Sequence, residues 1–465
     1  MPQAGQSAIV QIDRDRIADL TAREERTFQE ATPKSAAMLE RAKRSLSGGV
    51  TSSYQFHDPW PVYLNTGYGA RVWDVDGHAL WDFHNGYGSM VQGHAHPAIA
   101  AAIEKRSKVG THFCATTEDA VIVAEELQRR WGLPQWRFTN SGTESTMDAI
   151  RIARAYTGRD TIMKIFGSYH GHHDAVMVSI AVGYDQPIGA PDNLASLPYG
   201  AGIPAATVEM TVAVPFNDAE ALEARIISLE REGRKPACLI MEAALMNMRI
   251  ILPEVGYLEQ VRQITRRHGI VLIFDEVKTG LCLAAGGATE VFGVMPDMVT
   301  LAKALGGGLP SGAIGGTTEI MAVVEDGSVY QVGTFNGNPL VAAAARASLT
   351  QVLTPEAYER LSRTNQSLID GCNSVLQRHS IGGYAIGLGA KGCVVFSDSK
   401  ITDYASFHAH EDHELSDLAW LYNFNRGIFT TPDRDQEWTL SVVHPPEAIE
   451  RYISNLDSMA AELVQ

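Results

Sequence analysis

Lys303 sits inside the apolar run Met298-Val299-Thr300-Leu301-Ala302 and directly before Ala304-Leu305-Gly306-Gly307-Gly308. A lysine in such a setting is costly unless it is neutralised or bonded. A Schiff base to a carbonyl cofactor would hold it covalently, and the glycines would let backbone approach that cofactor. The other reading is a surface lysine whose stem lies along apolar neighbours. A second candidate, Asp275, ends the apolar stretch Ile270–Phe274 and is followed by Glu276-Val277-Lys278-Thr279-Gly280. A carboxylate at the C-terminal edge of a parallel strand faces the place where open α/β folds bind ligands. It would either hold a metal or keep a pyridine nitrogen protonated so that the ring draws electrons. Lys303 decides for the second.

Two further segments carry polar chemistry. Ser141-Gly142-Thr143 opens a helical stretch that runs on through Met147, Ile150 and Ile152. Its backbone N–H groups and hydroxyls form a phosphate cup at the positive end of the helix dipole, or an ordinary N-cap. Tyr169-His170-Gly171-His172-His173 follows a strand ending at Phe166. Three histidines invite a metal site, but they lack the i, i+4 spacing of one helical face and no Cys or Glu set completes a shell. An aromatic ring at a strand end, placed to stack on a flat cofactor, is the better use of Tyr169. No metal is expected.

The elements that must position these residues alternate along the chain. Helical stretches are expected at Glu118–Arg130, Thr143–Thr157 and Ala219–Glu232, with buried strands at Ile162–Phe166, Ala237–Met241 and Ile270–Phe274. Strands separated by helices imply an α/β fold with a mostly parallel sheet covered on both faces. Before them comes a helical arm over residues 12–46, broken at Pro33, then short strands at 62–64, 70–75 and 79–82 around the turn Asp76-Gly77. After Pro339 an Ala-rich helix is expected to reach Val352, followed by a small α+β region with strands near 392–396 and 438–443. The division expected is 1–75 for the arm and the start of a small domain, 76–350 for a large cofactor-binding domain, and 351–465 for a C-terminal small domain.

Composition sets the surroundings. The chain of 465 residues is 45% hydrophobic and 20% charged, the balance of a globular protein with a sizeable core. A net charge of −16 disfavours nucleic acid and anionic membrane as partners. No apolar run approaches the roughly 18 residues of a membrane span, and the N-terminus lacks the pattern of a secretory signal. The five cysteines are scattered and read as free thiols of a cytoplasmic protein.

Taken in order, the segments resemble the class-III, fold-type-I aminotransferases, and most closely glutamate-semialdehyde aminomutase and its relatives. The similarity rests on Gly48-Gly49-Val50, Asp82 through Gly93-His94-Ala95-His96-Pro97, Ser141-Gly142-Thr143, Tyr169-His170-Gly171, Asn247, Asp275-Glu276-Val277, Lys303 and Gly333-Thr334-Phe335-Asn336-Gly337-Asn338-Pro339. The resemblance implies pyridoxal 5′-phosphate as cofactor, bound as a Schiff base on Lys303, which would also shuttle the proton. It implies that Asp275 pairs with the pyridinium nitrogen, that Tyr169 and Val277 sandwich the ring, and that His170 belongs to the cofactor site. Ser141, Gly142 and Thr143 would hold the phosphate, and Asn247 would lie near the ring oxygen. Thr334 would reach the phosphate of the partner subunit, which implies a homodimer with shared sites.

Departures from the family pattern concern the substrate. Gln55 stands where close aminomutase relatives carry the arginine that grips a substrate carboxylate, and an amide cannot replace a bidentate guanidinium. Arg249 replaces the Gly of Asn-Met-Gly, Cys282 the Arg that follows Thr-Gly-Phe, and Lys278 a Met or Gln. Lys278 and Arg249 are candidate anchors for an anionic substrate; Lys278 alternatively faces solvent or a structural carboxylate. Without such an anchor, Tyr54 and Tyr87 suit an uncharged tail. The expected activity is transfer of an amino group from an amino acid or amine to a 2-oxo acid. The alternative is a lyase or aminomutase on the same scaffold. A regulator on this fold would need an added DNA-binding module, for which no room is expected before residue 45 and the net charge of −16 is unsuited.

Overall fold

The computed structural model describes residues 10–181, 186–432 and 436–465. Its centre is a seven-stranded sheet in the order Gln135–Thr139, Gly312–Gly316, Met298–Leu301, Val271–Asp275, Cys238–Met241, Ile162–Ile165 and Thr211–Val214. Gly312–Gly316 runs antiparallel to both of its neighbours, and the other pairings are parallel. The apolar runs read as buried strands are buried at every position in Cys238–Met241 and Val271–Asp275. Their side chains alternate between two cores. Leu239, Met241, Leu272 and Phe274 enter one cluster, while Cys238, Ile240, Val271 and Ile273 enter a second. A strand covered on both faces has no need of the polar alternation of a half-exposed one, hence the continuous hydrophobic sequence.

Helices start and stop close to where the sequence places them. Glu118–Trp131 and Gly142–Thr157 both end on a glycine with positive φ, Gly132 and Gly158, as helix C-termini commonly do. The Ala-rich helix is shorter than expected. It is regular over Pro339–Ala347 and opens into a π turn at Ser348–Val352, where the buried Ser348 hydroxyl accepts from Gln92 Nε2 at 2.7 Å.

Both chain ends build the smaller part. A four-stranded sheet joins Leu64–Tyr68, Arg71–Asp74 and Ala79–Asp82 to Ile428–Phe429. A three-stranded sheet joins Tyr384–Leu388, Lys391–Val395 and Glu437–Thr439. The first strand begins at Leu64, not Val62, because its ladder pairs Leu64 with Asp74 and Tyr68 with Arg71. The arm is two helices, Arg14–Ala31 and Pro33–Ala42. Proline at the start of the second is tolerated there because the first-turn N–H has no intrahelical partner. A boundary at 75/76 falls in the turn of a hairpin, since Trp73 pairs with Ala79 and Arg71 with Trp81; we propose the three-part division only as an account of chain order. No described helix is long and apolar enough to cross a membrane.

Candidate active site

Parallel strands bring their C-terminal ends to one edge. Thr139, Ile165, Met241, Asp275 and Leu301 therefore deliver the segments that follow them to a common cavity of about 530 Å³. Ser141, Gly142, Thr143, Tyr169, His170, Asn247, Asp275, Val277, Lys278 and Lys303 all line it. These are ten of the residues the sequence singled out, drawn from five separate segments. A larger groove of about 650 Å³ lies between the N-terminal arm and the C-terminal region, near Glu25, His57 and Trp420. None of the strand-end residues reaches it.

Ser141 caps the helix Gly142–Thr157 by accepting from Glu144 N at 3.2 Å, so the capping reading of this segment holds. The preceding N–H groups, of Gly142 and Thr143, come too early for an intrahelical partner, and both residues line the cavity. The cup is tight. A Cβ on Gly142 would lie 2.8 Å from Val277 Cγ1, and one on Gly171 would lie 2.7 Å from Thr143 Oγ1.

Asp275 is buried and held on both oxygens. Its Oδ2 is 2.7 Å from His170 Nδ1; its Oδ1 accepts from Val277 N at 2.9 Å and Thr300 Oγ1 at 3.1 Å. His170 Nε2 in turn lies 2.8 Å from Ser168 Oγ. With both ring nitrogens engaged, His170 braces Asp275, and burial keeps its proton affinity low against the pull of that carboxylate. The neighbouring Glu276 points away and accepts from Trp131, Ala288 and Thr289, which ties down the loop after the strand. His172 is exposed and His173 lies by Thr146 Oγ1. Among the described residues no group of His, Cys, Asp or Glu is placed to hold a metal ion.

Lys303 has positive φ at the start of a 3-10 turn. Burial, then Lys278 and Lys391, bring its ammonium down to about 8 against the opposing pull of Asp275 and Glu242. Burial and Asp275 push the Glu242 carboxyl up to about 8. Asn247 bridges Glu242 and Lys278: Nδ2 donates to Glu242 Oε1 and Oε2 at 3.2 and 3.1 Å, and Oδ1 accepts from Lys278 Nζ at 3.0 Å. Lys278 is buried, not turned to solvent. It also donates to Met246 O at 2.7 Å and lies 3.2 Å from Glu437 Oε1.

The substrate candidates scatter. Gln55 Oε1 accepts from Thr51 Oγ1 at 2.7 Å and Ser52 N at 3.0 Å, closing a capping box with Ser52. Tyr87 packs edge-on against Tyr54, with centroids 5.5 Å apart, in an adjoining apolar cavity of about 440 Å³. Tyr54 lines both cavities. Arg249 is no anchor, which corrects the sequence reading. Its guanidinium is buried in an ion pair with Glu411, through Nε at 3.1 Å and a closer Nη2 contact. Thr334 is exposed and away from this chain's own cavity.

A stability prediction follows for Arg249. Removing one partner of a buried pair costs about 3–5 kcal/mol, and glycine at its positive φ recovers about 1–2 kcal/mol. Arg249→Gly is therefore expected to lose about 2 kcal/mol by urea unfolding, with substrate KM unchanged. Unaltered stability with a raised KM would return Arg249 to the substrate site.

Residues 53–411 match the family model for class-III aminotransferases. The chain belongs to that family. It is 38% identical over 437 residues to a glutamate-1-semialdehyde 2,1-aminomutase of Methanothermobacter thermautotrophicus, covering 92% of this chain and 99% of that one. It is 37% identical over 428 residues to aminomutase 2 of Brevibacillus brevis, covering 90% and 96%. Among solved structures, an aminomutase of Pseudomonas aeruginosa in complex with PMP superposes with a TM-score of 0.88 at 28% identity, covering 97% and 99% of the two chains. An omega-transaminase of Sphaerobacter thermophilus gives 0.86 at 33%, covering 93% and 98%.

The protein is thus a class-III, fold-type-I enzyme with pyridoxal phosphate as cofactor, acting on small molecules. The cavity fits that cofactor: a glycine-lined helix start suits a phosphate, and a buried carboxylate held on three sides suits a ring nitrogen. Sequence reasoning missed Lys391 and Glu437, residues of two paired strands, of which Glu437 lies on both Lys391 and Lys278.

Proposed function

We propose that this class-III enzyme is an aminomutase, exchanging an amino and an oxo group between neighbouring carbons of one small substrate. The observation that carries the chemistry is the convergence of the helix-start cup, Asp275 and Lys303 in one cavity. The choice of aminomutase rests on the names of the relatives that match over most of the chain. Transfer from a donor to a 2-oxo acid, the first expectation from sequence, takes second place. It keeps support from Gln55, whose amide closes a turn where the relatives' arginine would grip a carboxylate, and from the likeness to an omega-transaminase.

When bound, pyridoxal phosphate supplies an aldehyde that takes up an amine and a ring that draws electrons from the adjoining carbon. In this reading Ser141, Gly142 and Thr143 would hold its phosphate, and Tyr169 and Val277 would flank its ring. Asp275, braced by His170 and Thr300, would keep the ring nitrogen protonated. Asn247 would lie near the ring oxygen. Lys303 Nζ would hold the cofactor's aldehyde carbon and would move the proton at the substrate carbon. Its depressed proton affinity leaves a usable neutral amine near neutral pH.

Acceptor dependence tests the reading. With glutamate 1-semialdehyde, the substrate in the relatives' names, an aminomutase turns over many equivalents with no added oxo acid. A stop after one equivalent, relieved by a 2-oxo acid, would make the chain a transaminase.

We further propose a homodimer with Thr334 in the partner's site. Tyr330, Val332 and Phe335, beside Thr334, are 81%, 62% and 57% exposed in the single chain, an apolar surface that suits a subunit contact. Thr334→Ala is expected to weaken cofactor binding by about 10-fold or more, the worth of a hydrogen bond to a charged group, by equilibrium dialysis. A fully cofactor-saturated monomer in sedimentation equilibrium would refute the shared site.

A further inference from the structure

Two buried lysines share one carboxylate beside the cofactor cavity. Lys391 Nζ lies 3.0 Å from Glu437 Oε1 and donates to Thr439 Oγ1 at 3.0 Å. Lys278 Nζ approaches the same Oε1 at 3.2 Å. Both side chains are almost wholly buried. The cluster is rigid, because Lys391 and Glu437 sit on adjacent strands, where Gly392 pairs with Trp438. Two lysines meet one carboxylate there, and Lys278 also lines the cavity. On its other side Lys278 donates to Asn247 Oδ1, which sets the amide with Nδ2 on Glu242, and Asn247 and Glu242 both line the cavity.

We propose that Lys278 is a positioning residue for the cofactor: seated on Glu437 with Lys391, it fixes the Asn247 amide and sets a second positive charge beside Lys303. The inference rests on Lys303 as the cofactor-bearing lysine and goes beyond that assignment. The charged groups that bear on Lys303 are Lys278 and Lys391, which disfavour its protonated form, and Asp275 and Glu242, which favour it. His170 stands behind Asp275, and Glu437 lies on both lysines. The sign follows from these charges. A cation near a protonated nitrogen lowers that nitrogen's proton affinity, so losing Lys278 raises it. Met or Gln, the residues of the family pattern at this position, would lack the effect. Removing Lys278 leaves Glu437 paired one-to-one with Lys391, so the buried cluster stays balanced.

The test is the pH titration of the visible cofactor band in the holoenzyme, comparing wild type with Lys278→Met and Lys278→Gln. The midpoint should rise by about one pH unit or more in both variants, the usual effect of one nearby charge, with one cofactor per chain retained. Gln can still donate toward Asn247 but carries no charge. It therefore decides the matter should the Met variant fold poorly. A folded, loaded Lys278→Gln protein with the wild-type midpoint overturns the inference. Borohydride reduction and peptide mapping of the wild type keep the underlying assignment separate. A pyridoxyl group on another lysine refutes the role of Lys303, whereas an unmoved midpoint with the group on Lys303 refutes only the role of Lys278.

Discussion

Lys303→Ala is expected to abolish both the covalent cofactor linkage and turnover, lowering kcat by about 10⁴-fold or more, because one nitrogen serves as nucleophile and proton carrier. The cup, Asp275 and Asn247 do not depend on it. The variant should therefore still bind cofactor non-covalently, with no pyridoxyl peptide after borohydride reduction. Neighbouring cations sharpen the expectation. Lys278 is held by Met246 O, Asn247 and Glu437, and Lys391 by Glu437 and Thr439, so neither is placed to substitute. Turnover within about 10-fold of wild type would mean that the lysine does no chemistry, since a positioned proton carrier contributes at least about 10²-fold.

Asp275→Asn should retain cofactor and lose about 10²- to 10³-fold in kcat, the usual effect of removing a group aimed at charge in the transition state. An amide does not keep a pyridine nitrogen protonated, so the ring draws electrons poorly. The surroundings tolerate the change. Asn Oδ1 still accepts from Val277 N and Thr300 Oγ1. The Nδ2 group would face His170 Nδ1, which becomes the acceptor if the imidazole moves its proton to Nε2, beside Ser168 Oγ. Steady-state kinetics with absorbance after dialysis separates the two effects. A rate within a factor of a few of wild type would remove Asp275 from the mechanism.

What the chain reveals before folding depends on how locally each feature is encoded. Asp275 and Lys303 are legible because each ends a short apolar run, and parallel strands necessarily carry such ends to one edge. The cup is legible because Ser141-Gly142-Thr143 is contiguous. Arg249 misled because its partner lies 162 residues away, and nothing in Asn247-Met248-Arg249 announces Glu411. Lys391 and Glu437 were hidden for the same reason, since strand pairing brings them together and only the fold sets Glu437 on Lys278. Gln55 carried a local signal that a closer reading would have used: Ser52 with Gln three residues later is the spacing of a capping box, which is the role it takes. The strand placed at 62–64 slipped because ladder register depends on a partner strand, here Arg71–Asp74. The substrate side of the cavity was the least legible part, being assembled from side chains of distant segments.

The central claim, that this class-III enzyme carries its cofactor on Lys303 at the edge of the seven-stranded sheet, is tested most directly by one measurement. Native protein reduced with borohydride, digested and mapped by mass spectrometry should bear a single pyridoxyl group, on the peptide containing Lys303. The same group found on Lys278 or Lys391 would contradict the account.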